Sequence, residues 1–430
     1  MTKKSFSVFA FLLFLTINLS AQAVQPSPMP TRARLVGSSA TPAPAPSKVV
    51  VVTATPTPKP AATPVSNPVP IDRPVALPTP TPTPVIPQNN YKILSFGQIK
   101  SKIAEAKRLM QTRPMPTGLT DGAVAMDIVR LAFYDWKTQK LDFVVLTKTA
   151  FLSKNAQIAL ISSNGKAMNV RIIRANGVNT PVTIFDQTGE IQMPLVVQYP
   201  VERGGRYMET AYYTSTHTGV VTPEVVSAGQ FYVRNTIDVA REKLREKGII
   251  ISPQIADFAE RLSTVEHVDH LRFRTEPHQY IYNDIFTLYA LNEGQTYRYS
   301  VSSAGAGGMV QMIPSTYYMV RNRFYNVGLM PDFVEGMRNH QNAAQAMLLY
   351  MKMTWDDLIA SETVYNALAD GKATPADLMA AGYNSNPAKL AGYIKRGGSG
   401  WRNLIPRETK IYLQIYASLE RYVPMTPRAK

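Results

Sequence analysis

One stretch of the C-terminal half combines a carboxylate with the loop residues that could position a substrate against it. It reads Asn283-Asp-Ile-Phe-Thr-Leu-Tyr-Ala-Leu-Asn-Glu293-Gly294, and is followed by Ser302-Ser-Ala-Gly-Ala-Gly-Gly-Met-Val-Gln311-Met-Ile-Pro314. Asn283 or Asp284 can cap an apolar helix, and Gly294 suits the position just past its end. Glu293 then sits at a helix C-terminus, where the macrodipole opposes a negative charge. Ile285, Phe286, Leu288 and Leu291 add an apolar setting. Both effects favour the protonated carboxyl that a general acid needs near neutral pH. A glutamate at a helix end is usually a solvated surface residue, so the surrounding pattern has to decide.

That pattern resembles the soluble lytic transglycosylase domain, related to goose-type lysozyme. Its signature is a helix-ending Glu, then a Ser, then Gly-Ala-x-Gly-Leu-Met-Gln-x-x-Pro. Here Ser302 follows Glu293 by nine residues, Gly305-Ala306 comes next, and Gly308-Met309-Val310-Gln311-Met312-Ile313-Pro314 runs on. A second family motif, Ala-Tyr-Asn-x-Gly-Pro, is matched by Ala381-Gly382-Tyr383-Asn384-Ser385-Asn386-Pro387. The resemblance spans roughly residues 256–393. It departs at Gly294, where the family has Ser, at Met309 and Val310, and at Gly382. Asn386 stands in for a Gly, and Asn tolerates the positive φ expected there better than most residues.

The resemblance implies an enzyme that cleaves the bond between N-acetylmuramic acid and N-acetylglucosamine in peptidoglycan and leaves 1,6-anhydromuramic ends. It makes Glu293 the catalytic acid and base. Ser302, Gln311, Tyr383 and Asn384 become groove residues that contact sugar or fix the loops, with Tyr383 approaching the carboxyl. The substrate's own acetamido group takes the place of a second carboxylate, an exception to the usual two-carboxylate glycosidase. No cofactor and no metal is implied. The same fold leaves two alternatives: a hydrolytic muramidase, or a noncatalytic wall-binding scaffold.

Rival readings rest on less. Glu266-His267-Val-Asp-His270, with His278 nearby, has a metal-like composition. Its histidines are three residues apart, however, and not the i, i+4 pair of a zinc-protease helix. Glu266 is the alternative acid, set aside because it lies far upstream of the Ser-Gly-Ala segment. Ser-His-Asp chemistry has no nucleophile-elbow sequence behind it.

These residues need a scaffold, and the periodicity supplies one. Thr222-Pro223-Glu224 and Ser252-Pro253 are helix starts, a capping side chain followed by proline in the first turn. Ile255, Phe258, Leu262 and Val265 share a helical face, and helical stretches follow at 285–291, 317–324, 343–353, 376–381 and 408–422. Upstream, runs rich in β-branched and aromatic residues at 128–134, 141–146, 157–161, 170–173, 182–185 and 195–199 predict strands. Asn164-Gly165, Asn176-Gly177 and Thr188-Gly189 supply turns between them. Ile99, Ile103, Ala106 and Met110 are spaced as on a helix. The expected fold class is α+β multidomain: a small antiparallel β domain over 91–221, then an all-α domain over 222–430, lysozyme-like by the resemblance.

The N-terminal region reads as a leader and a spacer. Lys3 and Lys4, a short apolar run and Ala21-Gln22-Ala23 predict a secretory signal peptide over 1–23. Residues 24–90 hold more than half of the 33 prolines, which block helix and sheet propagation and predict an extended spacer. Export, together with a net charge of +16, points to an acidic wall polymer as partner and argues against nucleic acid. A membrane tether is expected only if the leader stays uncleaved. With no cysteine there is neither a disulfide nor a lipoprotein anchor.

Overall fold

The computed structural model describes residues 51–52, 93–113 and 125–429. The leader read over 1–23 and, Val51 and Val52 apart, the spacer read over 24–90 lie outside the described residues.

The fold is mixed α/β, a curled antiparallel sheet followed by many helices. The sheet begins inside the proline-rich region: β1 (Val51–Val52) pairs with β4. The expectation that no sheet propagates there needs this correction. The run from Ser47 to Thr55 contains no proline and four consecutive valines, so its amides are free to pair. After it comes α1 (Phe96–Thr112), whose buried face is Ile99, Ile103, Ala106 and Met110, closed at its start by a Ser95–Gln98 capping box. Then follow β2 (Ile128–Asp135), β3 (Lys140–Thr147), the single turn α2 (Lys148–Phe151), β4 (Gln157–Ile161), β5 (Ala167–Ile172), β6 (Val182–Asp186), β7 (Ile191–Arg203) and β8 (Arg206–Tyr213).

Strand order is β1-β4-β5-β6-β7-β2-β3, with β8 also paired to β7. The long β7 curls the sheet. Its start pairs with β6, its middle with β2 and its second half with β8. Two prolines sit in it without breaking it. Pro194 falls at the register shift opposite Ala132/Phe133, and Pro200 lies beyond the last residue paired to β2, so neither removes a needed ladder bond.

The helices are α3 (Pro223–Glu246), α4 (Pro253–Val265), α5 (His270–Thr275), α6 (His278–Asn292), α7 (Pro314–Arg323), α8 (Phe333–Arg338), α9 (His340–Ile359), α10 (Glu362–Ala369), α11 (Pro375–Asn384), α12 (Leu390–Gly397) and α13 (Arg407–Tyr422). Thr222 and Ser252 cap α3 and α4 as expected, each accepting from a backbone N–H in the first turn. Among the described residues no helix is long and apolar enough to cross a membrane.

The central helix is α6. It starts at His278 behind Pro277, not at Asn283 or Asp284, which lie inside it. It is apolar nearly all round, as a buried helix must be. Ile281, Tyr282, Ile285, Phe286 and Tyr289 belong to the helical core, Leu288 to the core of the sheet, and Ala290 and Leu291 to a third core under α1. Helix α3 crosses it very closely: a Cβ on Gly229 would lie 1.9 Å from the Phe286 carbonyl oxygen. At its end the Asn292 side chain accepts from Thr214 N–H and donates to Thr214 C=O, each at 2.8 Å. That pair continues the strand-like hydrogen bonding of the sheet onto the helix terminus.

Candidate functional site

The structure gathers Ser302, Gln311, Tyr383 and Asn384 around one cavity of about 730 Å³. Three carboxylates line it with them: Glu266, with Glu408 and Tyr412 of α13 alongside, and Asp357 near the end of α9; of the three, Asp357 and Glu408 are exposed. Glu293 is not among the lining residues. It faces α1 instead, ion-paired with Lys100, its side chain 55% exposed. The expected grouping of Glu293 with these four residues is therefore not met, and neither is the expected desolvation of its carboxyl. The local geometry differs as well. The left-handed residue past α6 is Glu293 itself, at φ +46°, rather than Gly294.

Glu266 caps the C-terminal end of α4, whose face Ile255, Phe258, Leu262 and Val265 is buried in the helical core. The helix-end argument made for Glu293 thus applies to Glu266. Burial pushes its carboxyl up to about 8; the Tyr412 hydroxyl, donating to Oε1 at 2.6 Å, acts against this, and the Glu408 charge acts with it. Near neutral pH the acid form is favoured while a donor still holds the carboxyl in place. Burial, together with the nearby Glu266 charge, drives both Tyr383 and Tyr412 well above the usual phenol range, so both stay neutral donors.

The Gly-rich loop that faces this acid is held from within. Ser302 accepts from Ala306 N–H at 3.0 Å, and its own backbone pairs with Ala306. Gln311, at φ +44°, donates to Gly308 C=O at 2.9 Å and to Ser300 Oγ at 3.4 Å. Gly308 has φ +67°, and a Cβ there would stand 2.3 Å from the Met337 carbonyl oxygen, so only glycine lets the loop pack against α8. Tyr383 donates to Val310 C=O at 2.6 Å, tying the second motif to the first, and packs edge-on against Tyr350. Asn384 ends α11 at the rim of the cavity, with no side-chain partner among the described residues. Asn386 has φ −80°, so the positive φ anticipated there is not required; its side chain caps the turn at Pro387 instead.

A second cavity, about 670 Å³, opens on the other side of Glu266, between the sheet and the helices. Glu266 and Val268 line both. Between the cavities His267 stacks on Tyr297, centroids 3.3 Å apart, and its Nε2 meets Met309 C=O at 3.0 Å. Burial pushes His267 down to about 3, so it is a neutral partner for that carbonyl. His278 is bound to Ser418 Oγ and Phe273 C=O. Among the described residues no group of three or more His, Cys, Asp and Glu side chains is arranged to hold a metal ion.

On linear spacing to the Ser-Gly-Ala segment Glu293 is the better match, and Glu266 is the alternative. The signal that favours Glu266 was present: it follows the strongest apolar helical face in the segment. Tyr412 lies outside both motifs, so nothing in the linear sequence marks it. Compared with protein-family models, curated proteins and solved structures, the chain matches none.

Proposed function

We propose that the chain is an exported enzyme that cleaves the glycan strands of the bacterial wall by lytic transglycosylation, with Glu266 as its acid and base. The helical part then plays the role of a lysozyme-like domain. The observation that carries this reading is the convergence of both sequence motifs on Glu266, the one carboxylate of the cavity packed round by protein.

The chemistry follows from the arrangement. The protonated Glu266 gives its proton to the bridging oxygen as the bond to C1 of the muramic residue breaks. Positive charge builds on C1 and is met by the substrate's acetamido oxygen. The resulting carboxylate then takes the proton of the C6 hydroxyl as that oxygen bonds to C1, which closes the anhydro ring and restores the acid. Tyr412 keeps Glu266 aimed through the cycle. The unpartnered amide of Asn384 and the Oε1 of Gln311 are free to hydrogen-bond sugar hydroxyls, whereas Ser302 serves the loop. Asp357 and Glu408, the exposed carboxylates on the same cavity, favour one other reading: water activated at either would make the enzyme a muramidase.

Digestion of purified sacculi followed by mass analysis of the fragments tests this. Wild type should release 1,6-anhydromuramic ends, and Glu266→Gln should lose about 10² to 10⁴-fold in rate, the usual contribution of a general acid or base. Glu293→Gln should stay near wild type. The reverse pattern between the two variants would return the acid to Glu293. Reducing ends alone would mean hydrolysis, and binding without cleavage by wild type would mean a scaffold.

A further inference from the structure

The sheet-side cavity has a charge arrangement that the glycan chemistry does not use. Its acids are all engaged. Glu202 is paired with Lys148 at 2.6 Å, and Asp284 with Arg272 at 2.7 Å. Asp269 accepts from the backbone N–H of Leu271 and Arg272, each at 2.8 Å, and Glu266 is held by Tyr412. Arg272 is further taken up by Glu276 at 2.8 Å. Arg174 lines the same cavity and makes no hydrogen bond or ion pair among the described residues.

Arg174 is also presented by a structured loop. It follows β5, and the loop closes through Asn176 N–H to Thr180 Oγ1 at 2.8 Å and Thr180 Oγ1 to Gly177 C=O at 2.7 Å. Ser215 beyond β8 anchors it through Asn179 at 2.7 Å. A guanidinium has five donors in a fixed fork that matches a carboxylate in two parallel bonds, and leaving those donors half-buried without an acceptor is unfavourable. Burial depresses the Arg174 guanidinium and Arg272 adds to the effect, while the charges of Asp284, Glu276 and Asp269 act against it without reaching it as hydrogen-bond acceptors. The Tyr199 and Tyr299 side chains, in the same lining, give the cavity apolar walls suited to a branch with carbon atoms as well as charge.

We propose that the sheet-side cavity binds a carboxylate-bearing peptide branch of the glycan, with Arg174 as the residue that recognises the carboxylate. This rests on the proposed glycan-cleaving function, since Glu266 joins the two cavities and a strand cut there would carry its branch into the second one. The sheet then contributes substrate selection and the helices contribute the chemistry.

Two measurements separate this from the reaction itself. Calorimetric binding should be compared for a soluble glycan fragment carrying a peptide with a free C-terminal carboxylate and for the same fragment with that terminus amidated. Wild type should prefer the acid by about ten- to a hundredfold, as expected for a charge-assisted pair, and Arg174→Met, which keeps the aliphatic stem, should abolish the preference. In the second measurement, cleavage of peptide-free strands by Arg174→Met should match wild type. Equal binding of acid and amide by wild type would overturn the proposal, and so would an unchanged preference in Arg174→Met. Wild type that cleaves neither substrate would remove the proposed reaction, while the acid-over-amide preference would still decide the carboxylate site.

Discussion

Tyr412 on α13 donates its phenolic hydrogen to Glu266 at the end of α4, 2.6 Å away and 146 residues back in the chain. The bond holds the carboxyl in one orientation and opposes part of the upward push that burial gives it. Glu408, one turn earlier on α13, adds its charge in the other direction.

Two substitutions should therefore move the alkaline limit of the cleavage rate in opposite directions. In Tyr412→Phe the opposing bond is gone, the Glu266 carboxyl rises further, and the fall in rate shifts to higher pH. In Glu408→Gln a repelling charge is gone and the fall shifts to lower pH. The measurement is kcat/KM against pH. A limb that stays in place in both variants would show that neither group acts through Glu266.

The same carboxyl should leave a mark on stability. Its folded value, about 8, lies above the unfolded value, so the stability linked to its protonated form is complete below about pH 4 and is lost as pH rises towards 8. Glu266→Gln removes a group that must ionise in a buried setting. Its melting temperature should exceed wild type at pH 8.5 and converge with it at pH 4.5. An equal difference at both pH values would count against the raised carboxyl.

Much of the scaffold was legible in the sequence, and the reasons are local. Capping residues followed by proline mark the starts of α3 and α4, and the four-residue apolar face of α1 is spaced at the helical period. β4 was bounded correctly because turn residues flank a β-rich run. β8 was missed because Arg206-Tyr-Met-Glu-Thr-Ala-Tyr-Tyr alternates poorly, and only its end is buried. β7 was read short because proline ordinarily ends a strand, whereas here the register shift makes room for it. In the candidate site, the two motifs located Ser302, Gln311, Tyr383 and Asn384 together. Choosing between two glutamates at helix ends required knowing which way each helix end points, and linear spacing carries no such information.

Close backbone packing gives a third expectation. Gly229→Ala would drive a methyl into the Phe286 carbonyl and force α3 off α6. The cost should be at least the 1–3 kcal/mol typical of overpacking, read as a lower midpoint in denaturant. Gly308→Ala adds a strained φ to a comparable clash with Met337 and should also weaken catalysis by displacing Gln311. A tolerated alanine at either position would mean that the neighbouring elements can part cheaply.

The Asn292–Thr214 pair gives a fourth. Asn292→Ala leaves a buried N–H and a buried C=O of Thr214 without their partner, at about 1–3 kcal/mol for each group. Stability should fall by a few kcal/mol while kcat changes little, since neither residue lines the cavity that holds the four motif residues. A variant as stable as wild type would mean that water replaces the amide.

Helix α6 contributes side chains to three separate cores, which makes it the keel of the molecule. In native-state hydrogen exchange its amides should open only with the whole structure. A gene fusion that swapped the sheet for an unrelated module would strand Leu288, Ala290 and Leu291 against foreign surface. The helical half is thus poorly suited to being traded as a cassette, and a change in the sheet's binding preference has to come from substitution in place.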